Sequence, residues 1–299
     1  MTGNPALIKE IRAEVARAGG RITFERFMEL ALYHPQHGYY TSGKARIGRQ
    51  GDYFTSVSVG PLFGRILARQ FQKWGVTEVI EVGGHHGQLR QDILAAAPEL
   101  AYRVVEVGDE LPASVTGCVF SNELLDALPV HRVQGDREVY VTGDFEESLG
   151  PLSDARLPRL PNGYRSEFNL RALDWLEDIA RRLRRGYVLT IDYGFERAEY
   201  FAPQHKDGHL QCYRQHTKSG NPYEHIGEQD ITAHVEFTSL IEHGQTLGLE
   251  PVVFTTQERY LMKIGEAEII QAPERDAIHQ LLHSTMGHTF KVLVQRKGI

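Results

Sequence analysis

Cysteine is scarce: Cys118 and Cys212 are the two in 299 residues, with no C-x-x-C pair. That excludes a disulfide framework and suits a reducing compartment, so a cytoplasmic location is expected. Positive charge is not in surplus either. Lys and Arg number 33 against 39 Asp and Glu, and the net charge of −6 gives no general attraction to nucleic acid or an anionic membrane. No apolar run approaches the roughly 20 residues of a membrane span. The first 20 residues mix Lys9, Arg12 and Arg17 with Glu10 and Glu14 and lack a continuous apolar stretch, so no secretory signal is expected there. Metal patterns are absent too. His279 and His283 stand four apart, but H-Q-L-L-H lacks the glutamate of H-E-x-x-H. His216, His225, His234 and His243 recur every nine residues, a spacing that sends successive side chains to opposite sides of a helix or strand. No metal is expected.

What the chain does have is a strand, a glycine turn and a helix in the stretch Thr77–Leu94. Val79, Ile80 and Val82 form a β-branched run fit for a strand buried on both faces. Gly83, Gly84 and Gly87 make the turn, and Leu89, Ile93 and Leu94 then recur at helical spacing. Free backbone N–H groups at such a helix start can meet a ligand. The next strand, Tyr102–Val105, ends in Glu106, where a carboxylate can accept from a ribose hydroxyl pair. The turn reads G-G-H-H-G rather than G-x-G-x-x-G, so a plain strand-to-helix glycine turn stays open beside a nucleoside site.

Around this stretch, Leu7, Ile8, Ile11 and Val15 predict a helix ending at Gly19-Gly20. Thr23 predicts an N-cap for a second helix with Phe24, Phe27, Met28, Ala31 and Leu32 inside and Pro35 as its stop. The glycine- and tyrosine-rich run His37–Ser56 is long for a passive connection and is a candidate lid, carrying Tyr39, Tyr40 and Asp52. A third helix is expected at Leu62–Phe71 and a buried strand at Cys118–Phe120. That strand runs into Asn122, Glu123 and Asp126, polar groups where open α/β sheets place ligands. If the segment is helical, Glu123 and Asp126 share a face, and Asn122 could equally be a helix cap. A hairpin over Val133–Leu149, a Pro-rich connector over Pro151–Asn162 and a helix over Leu170–Leu183 come next. Gly186 leads into a strand at Tyr187–Ile191 that ends in Asp192-Tyr193-Gly194, where Asp192 could be a site group or a turn residue. Strands at Pro251–Thr256 and Phe290–Gln295 flank a helix at about 273–286.

Several blocks in this order resemble the MidA-like family of S-adenosylmethionine-dependent methyltransferases, which includes a mitochondrial complex I assembly factor. They are Ile22–Tyr40, Gly51–Ser56, Asn122–Val130, Asp192–Gly194, Asp230–Phe237 and Phe290–Val294. The resemblance implies an α/β class I methyltransferase (Rossmann-like) fold, a mainly parallel seven-stranded sheet with helices on both faces. It implies N-terminal helices and a lid loop at 1–75, then a core at 76–299 with an insertion at about 195–240. The cofactor implied is S-adenosylmethionine, and the acceptor a protein arginine. Carried onto this chain, Gly83, Gly84, Gly87, Glu106 and Asn122 bind the cofactor, while Glu123, Asp126 and Asn122 are catalytic.

The chain departs from the family pattern at three places. His85 stands where the family has a second glycine, Thr55-Ser56-Val57-Ser58 lacks an acid, and only about a dozen residues join Glu106 to Cys118. A competing expectation is therefore a catalytically silent member that binds a partner protein through a cleft blocked by His85 or tyrosines. A nicotinamide-dependent oxidoreductase fits less well, because its glycine fingerprint is broken and no Tyr and Lys pair stands out.

Overall fold

The computed structural model describes residues 2–43, 59–84, 87–106, 108–215, 217–283 and 285–299. The chain forms two compact units, each built from three separate segments: 1–54, 126–172 and 197–234 in one, 55–125, 173–196 and 235–299 in the other. This division differs from the break at 75 and 76 expected from sequence. The helix at 62–74 packs within the second unit, and residues 126–172 pack with the N-terminal helices.

The first unit opens with α1 (Pro5–Arg17), β1 (Arg21–Thr23) and α2 (Phe24–Tyr33). Asn4 caps α1 by accepting from the N–H of Ala6 and Leu7, and Thr23 caps α2 by accepting from Arg26. His34 ends α2 in an extended conformation, as the residue before Pro35 must. The chain then enters the second unit with α3 (Leu62–Trp74), β2 (Glu78–Val82), α4 (Gln88–Ala96), β3 (Ala101–Val105) and β4 (Val115–Asn122). It returns to the first unit with β5 (His131–Gln134), β6 (Arg137–Thr142), β7 (Glu147–Gly150) and β8 (Arg165–Phe168). The division falls inside α5 (Leu170–Arg182), and β9 (Leu183–Phe195) belongs to the second unit. The first unit is completed by α6 (Arg197–Tyr200), β10 (Leu210–Arg214), β11 (Thr217–Ser219) and β12 (Asp230–Ala233). The second ends with β13 (Val235–Glu236), α7 (Phe237–Thr246), β14 (Glu250–Thr256), α8 (Gln257–Gln271), α9 (Arg275–Ile278), α10 (Thr285–Thr289) and β15 (Phe290–Lys297).

In the first unit, β6 pairs antiparallel with β1, β5 and β7, and β5 pairs with β8. A second antiparallel sheet has the order β11-β10-β12. Leu7, Ile11 and Val15 of α1 and Phe24, Phe27 and Met28 of α2 pack with Val139, Val141, Cys212 and Ile231 in one apolar core. Cys212 is buried there, which pushes its thiol up to about 12, so it acts as a small apolar side chain.

The second unit is an α/β unit with a mostly parallel sheet of order β14-β15-β9-β4-β2-β3, with β13 on the end of β9. β3, β2, β4, β9 and β13 run parallel to one another, while β15 runs antiparallel to both of its neighbours, β9 and β14. The chain leaves β2 through α4 to reach β3 on one side, and β4 then returns on the other side of β2. The strand order therefore reverses between β2 and β4, the place where such sheets open a crevice at their carboxyl ends. β3 is the sheet edge, and the connection from it to β4 contains no helix or strand among the described residues. No helix among the described residues is long and apolar enough to cross a membrane.

Candidate active site

The site is built on the ends of β2 and β4, which lie in register with Val82 opposite Ser121. Gly83 follows β2 with φ +74, and its N–H donates to Val105 O at 2.8 Å, so the turn is tied to β3. A methyl group added at Gly83 would stand 2.8 Å from Leu124 Cδ1, so the glycine lets the segment after β4 close on the turn. One added at Gly84 would stand 2.7 Å from the Glu81 carboxyl and 2.8 Å from Val104 Cγ1. Gly87 caps α4 in the left-handed region with no side-chain bond, leaving the helix start to backbone N–H groups. His85, on which the blocked-cleft expectation rested, lies outside the described residues.

Glu106 follows β3 with an exposed side chain, and its N–H donates to Asp109 Oδ2 at 3.2 Å. It also bears on a residue that sequence reasoning passed over. Glu81, within β2, is 3% exposed and accepts from Tyr102 OH at 3.0 Å. Burial pushes its carboxyl up to about 7; the Tyr102 hydroxyl opposes the rise and the negative Glu106 adds to it. The signal was an acid in a strand otherwise suited to burial on both faces.

The structure corrects the helical reading of Asn122–Val130. Asn122 is the last residue of β4, and Glu123 adopts φ +54, which no α-helix accommodates. Only Leu125–Ala127 winds into a 3-10 turn. Asn122 is therefore no helix cap, and Glu123 and Asp126 do not share a helix face. Asp126 is buried on that turn, and the division of the chain places it in the first unit.

Asn122 Nδ2 donates to Glu123 Oε1 at 3.0 Å, while Asn122 Oδ1 is buried with no hydrogen-bond partner among the described residues. Asp192, at the end of the neighbouring β9, is fully buried and accepts from the N–H of Leu124, Leu125 and Tyr193. Its place at a strand end was legible, but these bonds were not.

Tyr39 and Tyr40, expected on the lid, lie in the first unit. Tyr39 is 1% exposed in the core of the first unit, and Tyr40 OH donates to Asp230 Oδ1 at 2.7 Å. Asp52 and the rest of the expected lid, from residue 44 to 56, lie outside the described residues. His234 pairs with a histidine outside the nine-residue series: its Nδ1 stands 3.1 Å from His209 Nδ1, and burial pushes its ring down to about 3. No group of three metal-ligating side chains forms among the described residues.

The donor set fits a nucleoside sulfonium carrying an amino-acid tail. Backbone N–H groups open α4, a carboxylate follows β3, and the amide oxygen of Asn122 is buried with an acceptor site to fill. The family model of S-adenosyl-L-methionine-dependent methyltransferases matches residues 100–255. A mitochondrial protein from Drosophila melanogaster, named a protein arginine methyltransferase NDUFAF7 homolog, is 25% identical over an alignment of 391 residues, covering 100% of this chain and 86% of the relative. The protein arginine methyltransferase NDUFAF7 of Danio rerio is 24% identical, covering 94% and 82%. A crystal structure of a Burkholderia thailandensis protein bound to S-adenosyl-homocysteine is 31% identical, with a TM-score of 0.92 and coverage of 98% of this chain and 92% of that one. The chain belongs to this family of S-adenosyl-L-methionine-dependent methyltransferases, and S-adenosylmethionine is its cofactor.

Proposed function

We propose that this methyltransferase acts on a protein side chain, with the arginine guanidinium as acceptor. The observation that carries the reading is the Asn122–Glu123 pair held at the end of β4, beside the Gly83 turn. The names of the fly and zebrafish relatives support arginine as the acceptor.

When bound, S-adenosylmethionine supplies an electrophilic methyl on sulfur for in-line displacement. The chain's own residues supply alignment. A guanidinium stays charged at neutral pH and is a weak nucleophile. The Glu123 carboxylate would hold it through N–H···O bonds, offset its charge as the N–C bond forms and the C–S bond breaks, and accept the proton that the methylated nitrogen gives up, with the neutral thioether as leaving group. The Asn122 amide fixes the Glu123 carboxylate and directs its own oxygen to the cofactor. The N–H groups opening α4 take the cofactor's carboxylate, with Gly83, Gly84 and Gly87 giving the turn its shape, and Glu106 takes the ribose hydroxyls.

The test is calorimetric titration with S-adenosyl-homocysteine, followed by single-turnover methylation of a peptide bearing one arginine. Glu123→Gln is expected to slow transfer by roughly 100-fold, with S-adenosyl-homocysteine affinity held within a few-fold. Unchanged transfer in this variant removes the carboxylate from the mechanism. Transfer to a lysine control peptide in place of the arginine peptide overturns the acceptor.

A further inference from the structure

The segment after β4 turns in a way its sequence does not favour. Glu123 carries a side chain at φ +54, in the left-handed region that costs every residue except glycine. Such a conformation persists only where the surroundings hold it. Here two strand ends hold it. The Glu123 N–H donates to Ile191 O at 2.9 Å, continuing the ladder between β4 and β9. Immediately beyond, Asp192 Oδ2 accepts from Leu124 N–H at 3.2 Å and Leu125 N–H at 2.8 Å. Its other oxygen, Oδ1, accepts from Tyr193 N–H at 2.9 Å. The carboxylate is fully buried, so water does not compete for these bonds.

We infer that Asp192 is a positioning residue for methyl transfer: by binding the backbone of Leu124 and Leu125 it fixes the left-handed turn at Glu123 and so aims Asn122 and Glu123 at the cofactor and acceptor. The inference rests on the placing of Asn122 and Glu123 in the site. The bonds of Asp192 that bear on the turn go to backbone N–H groups. Asp192 reaches the site through the backbone that it holds, on the same segment that closes over Gly83 through Leu124.

A carboxylate is the group this arrangement requires. It accepts on both oxygens and donates from neither, and donors face both. The isosteric amide keeps one accepting oxygen and turns an NH2 toward the remaining backbone donor. Asp192→Asn therefore leaves size and shape intact but sets donor against donor, either at Tyr193 or at the Leu124–Leu125 turn.

The test is a double-mutant cycle read by calorimetry with S-adenosyl-homocysteine on the full chain, comparing wild type, Asn122→Ala, Asp192→Asn and the double variant. Each single change is expected to weaken binding by about 10-fold, the loss of one hydrogen bond. Because Asp192 acts through Asn122, the double variant is expected to bind about 10-fold rather than about 100-fold more weakly than wild type. Additive losses would mean that Asp192 acts on the fold independently of Asn122, and the positioning role would fall. If Asn122→Ala weakens binding and Asp192→Asn does not, only the positioning role fails. If Asn122→Ala binds as wild type does, the placing of Asn122 at the cofactor is what fails, and the positioning role fails with it. Should Asp192→Asn not fold, hydrogen exchange in the wild-type chain decides. S-adenosyl-homocysteine is expected to slow exchange of the Leu124 and Leu125 amides at least 10-fold, as ligand-linked stabilisation does, and unchanged exchange overturns the proposal.

Discussion

An acid inside a strand buried on both faces gives up hydration that a single hydroxyl cannot replace. Glu81 has Tyr102 OH as a partner and the Glu106 carboxylate as a repulsive neighbour, and its carboxyl titrates at about 7 in the fold against 4.5 in the open chain. Between those two pH values the folded chain keeps a proton that the unfolded chain has lost. This contribution to stability is complete below about pH 4.5 and disappears as pH rises through 7. Above pH 7, ionisation of Glu81 costs on the order of 3 kcal/mol. Glu81→Gln keeps an oxygen for Tyr102 and has no proton to lose. Urea unfolding without cofactor is expected to find the variant more stable than wild type at pH 8 and little different at pH 4.5. Equal stability at pH 8 would show that Glu81 ionises without cost. At this scale sequence placed Gly83, Gly84, Glu106 and Asn122 at the strand ends. It could not show Glu81 inside or Asp192 beneath the turn, because both depend on which backbone groups arrive from other strands.

Among the elements, the helices were the most legible. The apolar stripes of α1, α2 and α3 match their buried faces, and Thr23 caps α2 as its type and place predict. The strand boundaries were less so. Gly186 reads as the break between a helix and a strand, yet β9 begins at Leu183 and Gly186 lies within it, opposite Gly117 on β4. Both glycines hold positive φ, +141 at Gly186 and +155 at Gly117. A Cβ at Gly186 would stand 1.8 Å from Gly117 O. These glycines let two strand starts approach closely, a contact invisible to local pattern because the partner lies about 70 residues away. Gly186→Ala is expected to destabilise the chain by roughly 3 kcal/mol or more, read as a lower thermal midpoint by circular dichroism. A shift of less than a degree would mean that the strand ends separate freely. The segment at 273–286 was legible only in part. The expected single helix is α9, a π-helical turn at His279–His283 and then α10.

For the whole molecule, the chain divides into two compact units, each built from three separate segments. Contact between distant segments sets that division, so no composition shift announces it. In the first unit, a buried Arg132 joins three parts of the chain. It donates to Glu167 at 3.0 Å and Glu147 at 2.8 Å, and Arg165 also reaches Glu147. Glu167 in turn accepts from the His209 N–H. Arg132→Ala strips the buried Glu167 carboxylate of its cation and is expected to cost about 3–5 kcal/mol. Trp74 and Trp175 both belong to the second unit, so their fluorescence reports that unit while circular dichroism reports both. If residues 126–172 unfold, they become a long loose loop joining β4 to the rest of α5, and the second unit bears the entropy of closing it. The two signals are therefore expected to fall together in Arg132→Ala, both at a lower urea midpoint than wild type. A fluorescence midpoint left at its wild-type value would show that the second unit, which holds the glycine turn, Asn122, Glu123 and Asp192, stands without the first.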